Sequence, residues 1–254
     1  MQQKEIEKLN NMANAVRFLS IDMITKAKSG HPGLPMGCAE LATTLFAKHL
    51  KFSVNYPKWE ARDRFILSAG HGSALLYSLL FLSGYKDISI EDIKNFRQLN
   101  SKTAGHPEYG FLDGIETTTG PLGQGIATSV GIAIAEKFKQ TKLGSNIIDN
   151  KIYVLAGDGC LMEGVSEEAI SLAGTLNLNN LIVLWDDNNI TIDGNANIAN
   201  SVNMKERFKA NNWNIFEIKD GYNIEEIDSV LEMAKSSDKP VFIDVHTVIG
   251  HGYK

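Results

Sequence analysis

The chain is poor in cysteine: Cys38 and Cys160 are the only two in 254 residues. They show no CxxC spacing, so they read as two reduced thiols rather than a disulfide or a zinc site. Long hydrophobic runs are missing too. The longest, LLYSLLFL at 75–82, falls far short of the ~20 residues a membrane span needs. The polar start, MQQKEIEKLNN, has no signal-peptide character, and the expected location is the cytoplasm. Positive charge is not in excess. The net charge is −5 with signs mixed along the chain, which leaves no basic footprint for nucleic acid. No GxxxxGK[ST] occurs, so a P-loop is excluded, and GQGIAT (123–128) is only a partial match to a dinucleotide fingerprint. Repeats, low-complexity tracts and an interdomain linker are also lacking. With 43% hydrophobic and 22% charged residues, the balance is that of an ordinary globular protein. The length allows one large α/β domain or two small ones.

Periodicity supplies the elements. Ile6, Leu9, Met12, Val16, Leu19 and Met23 recur at helical spacing over 3–29, and Gly30 stops the pattern. Helices are predicted over 37–49, 73–82, 89–99, 124–140, 164–176 and 223–235. Ser89 and Asp92 form a capping-box pattern, and Asn223 is a candidate N-cap. Strands are predicted at FILSA (65–69), IYVLA (152–156), LIVLW (181–185), NIFEI (214–218) and PVFIDVHTV (240–248). The alternation implies an α/β fold: a mostly parallel sheet with helices on both faces. In such a sheet ligands bind beyond the carboxyl ends of the strands. Right-handed crossovers put the loops after 156 and after 185 on that same edge.

Those two loops carry the chemistry. The first strand runs into Gly157-Asp158-Gly159, and the second into Asp186-Asp187-Asn188-Asn189. Asp158 offers a carboxylate, Asn188 a carboxamide oxygen, and a nearby backbone carbonyl would add a third hard ligand. Oxygen-only ligation suits Mg²⁺ or Ca²⁺, and Mg²⁺ keeps room for phosphate oxygens. The flanking glycines let the backbone approach a bulky anion, and the following helix aims free N–H groups at it. A metal-bridged diphosphate is one reading. A pair of ordinary turns is the other, because Gly-Asp-Gly and Asp-Asn are common turn formers.

Four of the six histidines directly follow glycine: His31 in SGHPG, His71 in AGHGS, His106 in AGHPE and His251 in IGHGY. None has the HxxxH spacing of a one-segment zinc site. Loop histidines of this kind suit hydrogen bonding to a polar ligand and proton transfer near neutral pH. His49 and His246 fall within a helix and a strand and read as structural.

GDGCLMEGVSEEA, DDNNITIDG, KSGHPGLPMG, DRFILSAGHGS, KTAGHPE and TTTGPLGQG together resemble the diphosphate-binding, N-terminal part of transketolase, from about residue 10 to 250. The resemblance implies that Asp158, Asn188 and the main-chain carbonyl of Ile190 hold Mg²⁺, or Ca²⁺ in its place, against thiamine diphosphate. Gly159 would offer its N–H to the diphosphate, with His71 in contact and Asn188 beside both. Gly120 and Leu122 would place backbone groups at the aminopyrimidine, and Ile192 would pack on the cofactor. His31 and His106 would face the sugar and assist proton transfer. Glu163 and Glu168 match the family's buried acids, which link paired active sites across a subunit interface. The reaction so implied is ketol transfer, in which a two-carbon unit passes from a ketose phosphate to an aldose phosphate.

Two family elements are not found in the sequence. One is the pyrimidine-binding domain with its activating glutamate, and with it the C-terminal domain. The other is a later histidine, roughly a dozen residues beyond TVIG, for which His251 comes too early. The expectation is one diphosphate-binding domain over 1–254, working as the N-terminal subunit of a split transketolase, or else a piece of a longer chain. Its partner would be a C-terminal subunit carrying the pyrimidine-binding domain, in a heterotetramer or a self-associated dimer. A 1-deoxyxylulose-5-phosphate synthase-like subunit, a 2-oxo acid dehydrogenase-like subunit and a non-catalytic cofactor-binding module are the alternatives.

Overall fold

The structure, a computed structural model, describes residues 1–192 and 194–252. Asp193, part of the DDNNITIDG motif, lies outside the described residues, as do Tyr253 and Lys254. The strands are β1 (Arg64–Leu67), β2 (Ile152–Gly157), β3 (Leu181–Asp187), β4 (Ile190–Thr191), β5 (Gly194–Asn195), β6 (Asn214–Ile218) and β7 (Val241–His246). Five of them form one parallel sheet in the order β1-β2-β3-β7-β6. β4 and β5 make a small antiparallel hairpin beside it. The central strands are buried along almost their whole length. Both of their faces are covered, which is why IYVLA, LIVLW and VFIDV read as continuous apolar runs instead of alternating ones.

The principal helices are α1 (Gln3–Ala27), α2 (Gly33–Gly37), α3 (Ala39–Thr44), α4 (Ser73–Ser83), α5 (Ile90–Lys94), α6 (Gln124–Leu143), α7 (Asp158–Met162), α8 (Gly164–Thr175), α9 (Met204–Ala210) and α10 (Ile224–Lys235). They cover both faces of the sheet. α6 and α8 pack on each other in one group, and α1, α3, α4 and α10 form the other. Gly125 lets α6 lie close on the end of β1: a methyl group there would stand 2.5 Å from the Ser68 Cα. Asn223 caps α10 through the N–H groups of Glu225 and Glu226, and the Ser89–Asp92 capping box opens α5, as the sequence indicates. Among the described residues no helix is long and apolar enough to cross a membrane. Both cysteines are free and buried.

Several boundaries differ from the sequence reading. The helix expected over 37–49 begins only after Cys38, as α3, and ends in a π-helical turn, Leu45–His49, while the separate short α2 precedes the break at Cys38. The segment after β7 presses on this region. A Cβ at Gly33 would lie 2.5 Å from Ile249, and one at Gly37 would lie 3.1 Å from the Val248 carbonyl. Such a long-range contact has no trace in local periodicity. The helix expected to reach Leu99 stops at Lys94, because Arg97 and Asn100 take left-handed φ values of 61° and 62°. α7, α9 and the β4–β5 hairpin are too short to leave a periodic signal.

Candidate functional site

Parallel pairing brings four loops to one edge. Gly157 is paired with Asp186, and Asp187 with His246, so β2, β3 and β7 end level with one another. β1 leads into a 3₁₀ turn, Gly70–Gly72, that carries His71. A cavity of about 480 Å³ opens at this edge, lined among others by Asp158, Trp185, Asp187, Asn188, Asn189 and Thr247. A larger open hollow of about 810 Å³, against residues 53–59 and Asp113, sits on the segment entering β1 and gathers no histidine.

Asp158 is the first residue of α7 and is buried, and its Oδ2 has no hydrogen-bond partner. Burial first, and then the negative charges of Asp187 and Asp186, push its carboxyl up to about 6. The Trp185 indole favours the charged form without making a hydrogen bond of normal geometry. A buried carboxylate with a bare oxygen, crowded by two more acids, is an arrangement that a divalent cation relieves. Asn188 is held at both ends of its carboxamide: Nδ2 donates to Asp186 at 2.8 Å, and Oδ1 accepts the Ile190 N–H at 3.0 Å. The oxygen keeps a second lone pair. The residues present therefore fit a hard cation with phosphate oxygens.

Asp186 holds this arrangement from beneath. It is buried, and it accepts hydrogen bonds from the Thr247 hydroxyl, the Cys38 thiol and Asn188. Burial raises its carboxyl above the usual carboxylate range. The acid run Asp186-Asp187 is conspicuous in the sequence, but nothing in its spacing separates the buried hub from the cavity wall. His246, read from the sequence as structural, stands at the cavity rim and bonds to Glu217 at 2.9 Å. His49 is buried and hydrogen-bonded to Asp228 at 2.9 Å, in keeping with a structural role.

A second group adjoins the first. The His31 and His71 rings meet edge-on with centroids 5.2 Å apart. His106 lies against Gly120, where a Cβ would come within 3.3 Å of the imidazole and where φ is +151°, so both space and backbone call for glycine. Burial, helped by His31 and His106, lowers His71 to about 4. Burial and then the Arg97 charge hold His31 below the ordinary histidine range. The same two causes lower His106, with His31 adding to them. All three imidazoles are thus neutral at pH 7. Arg97 is a residue that sequence reasoning missed, since FRQLN carries no pattern that marks it.

The two groups are physically joined. Leu122 packs over Gly159, so that an added methyl there would sit 2.9 Å from its Cδ1. Gly123 abuts Glu163 in the same way, at 2.7 Å from its Cβ. Glu163 and Glu168, expected as buried acids, are exposed in the single chain. Glu163 is the N-cap of α8, and Glu168 lies on the outer surface of that helix. Ile190 and Ile192 are 39% and 94% exposed and lie off the cavity wall. The structure thus brings together Asp158 with Asn188, and His31 with His71, His106 and Gly120. It leaves Ile192 and Glu168 apart.

The family described as transketolase, thiamine diphosphate binding domain, matches residues 8–254. A transketolase of Rhodobacter capsulatus is 56% identical over 241 residues, which span 95% of this chain and 36% of that protein. One from Cereibacter sphaeroides is 54% identical over 241 residues, with the same shares. The crystal structure of Campylobacter jejuni transketolase superposes with a TM-score of 0.94 at 52% identity, covering 99% of this chain and 39% of that one. A Pichia stipitis transketolase in complex with sedoheptulose 7-phosphate gives a TM-score of 0.93 at 46% identity, over 96% of this chain and 36% of that chain. This chain therefore spans well under half the length of these relatives. On the match over residues 8–254 and on these identities, the chain belongs to the transketolase family, in which it corresponds to the thiamine diphosphate binding domain.

Proposed function

We propose that residues 1–254 form one diphosphate-binding domain that holds Mg²⁺ and thiamine diphosphate at the strand edge. Together with a pyrimidine-binding partner chain, it would transfer a two-carbon ketol unit between sugar phosphates in the cytoplasm. The observation that carries this reading is the buried, unpartnered Asp158 Oδ2 in an oxygen-lined cavity. Asp158, Asn188 and the Ile190 carbonyl would hold the cation, and Ca²⁺ could replace Mg²⁺ on the same oxygen donors. Gly159 would give its N–H to the diphosphate, and neutral His71 would donate one N–H to it. Backbone groups of Gly120 and Leu122 would orient the aminopyrimidine, and the exposed Ile192 side chain would pack on the cofactor.

When bound, the cofactor supplies the carbon–carbon bond chemistry, and the protein binds, orients and moves protons. His31 and His106, neutral at pH 7, accept and return protons at substrate hydroxyls. Loss of one positioned group of this kind typically costs about 10²–10⁴-fold in rate. Glu163 and Glu168 meet a second copy in the assembled enzyme, for which two copies of each chain is the arrangement that symmetry favours. Ketose phosphates are the substrate class, in line with the Pichia stipitis neighbours solved with sedoheptulose 7-phosphate, fructose 6-phosphate and xylulose 5-phosphate. The test is ketol transfer from xylulose 5-phosphate, assayed for this chain alone and with the partner. Activity only on mixing is expected. Robust turnover by this chain alone, free of any partner by mass spectrometry, would sink the two-chain arrangement. No turnover in the mixture would leave a cofactor-holding module.

A further inference from the structure

Arg97 takes no part in the cavity, yet both its backbone and its side chain are unusual. Its φ of 61° lies in the left-handed region that residues with a Cβ seldom enter. The turn is closed by its own N–H, which donates to the Thr103 carbonyl at 2.9 Å. The guanidinium is thereby swung back across the site with Phe96 beneath it, 5.6 Å from ring centroid to Cζ. Nη1 donates to the Ser29 hydroxyl at 3.0 Å, and Nη2 to the Gly105 carbonyl at 3.4 Å. Ser29 roots the loop of His31, and Gly105 immediately precedes His106. The approach to Gly105 is close, since a Cβ there would stand 3.4 Å from the guanidinium carbon.

We propose that Arg97 is a positioning residue, whose guanidinium ties the loop presenting His31 to the loop presenting His106 and so sets the gap between the two imidazoles. The proposal rests on the reading that these imidazoles face the sugar. Arginine suits the task because its planar fork offers donors in two directions at once, whereas a lysine ammonium is a single point on a flexible stem. The fixed positive charge also opposes protonation of both rings, which keeps them able to accept a proton. The groups that bear on the pair are Arg97 after α5, His71 on the turn after β1 against His31, His31 on His106, and Tyr77 of α4. The Tyr77 hydroxyl donates to the carbonyls of Ala104 and His106.

The test uses the full chain without cofactor or substrate, so failure of the thiamine reading leaves it intact. Imidazole Cε1 resonances are followed by NMR from pH 4 to 8 in the wild type, Arg97→Ala, Arg97→Lys and Arg97→Gln. Amide exchange is measured at residues 29–31 and 104–107. In Arg97→Ala the protonation constants of His31 and His106 are expected to rise by about three-fold or more, the effect of removing one nearby charge. Exchange should quicken in both loops. Arg97→Lys keeps the charge, so its titrations should stay near wild type while exchange quickens. Arg97→Gln should show the raised protonation constants even where Arg97→Ala fails to fold. Unchanged titrations in Arg97→Gln, or quickened exchange confined to one loop, would overturn the proposal.

Discussion

His71 gives the chain a pH dependence of stability whose size follows from its surroundings. Burial, with His31 and His106 adding to it, lowers this imidazole from 6.5 to about 4 in the fold. The unfolded chain takes up a proton near pH 6.5, while the folded chain resists until near pH 4. Between these values the unfolded state binds more protons, so stability falls as pH is lowered through the window. From pH 7 to pH 5 the His71 contribution is about 2 kcal/mol, using 1.36 kcal/mol per pKa unit. His31 and His106 act with the same sign. His71→Asn removes the titrating group and keeps a side-chain amide donor. Urea unfolding at pH 7 and pH 5 reads the effect directly, provided the slope with denaturant is unchanged. Wild type should lose about 2 kcal/mol more than the variant between the two pH values. Equal losses in both proteins would refute the burial argument for His71.

Other outcomes follow from individual contacts. Asp186→Ala removes the acceptor of the Asn188 carboxamide and of Thr247 without touching the proposed cation, and should weaken Mn²⁺ affinity by about 10–100-fold in an electron paramagnetic resonance titration. Gly174→Ala places a Cβ 1.6 Å from the Asn211 carbonyl oxygen, so a loss of at least about 1–3 kcal/mol is expected in thermal melts. Gly131→Ala, in α6 with nothing near its added methyl, should instead stabilise by about 0.5–1 kcal/mol in the same measurement. Under the proposed function, His106→Ala should lower ketol transfer by the mixture with the partner chain by about 10²–10⁴-fold at saturating cofactor, in a steady-state assay.

The parallel sheet was legible because its central strands are apolar runs of strand length separated by helical patterns, and β2, β3 and β7 lie where those runs stand. The adjacency of Asp158 and Asn188 at one edge was legible too, since right-handed crossovers leave no other place for the two loops. What stayed hidden depends on contacts between distant segments. The break at Cys38 answers to Val248 and Ile249, and the left-handed turn at Arg97 answers to Thr103. Asp186 and Asp187 look alike in sequence, yet one is a buried hub and the other a cavity wall, because successive residues of a strand point to opposite faces. The role of Arg97 depends on Ser29 and Gly105, and no local pattern joins those three positions.

The central claim is that the oxygen-lined cavity holds a divalent cation bridging protein to diphosphate. It is tested most directly by calorimetric titration of thiamine diphosphate into the chain, with Mg²⁺ and with a chelator, for the wild type and Asp158→Ala. The expected result is binding by the wild type only with Mg²⁺, and none by Asp158→Ala, whose circular dichroism and melting remain those of a folded chain. Equal affinity in Asp158→Ala, or binding by the wild type undiminished by the chelator, would contradict it.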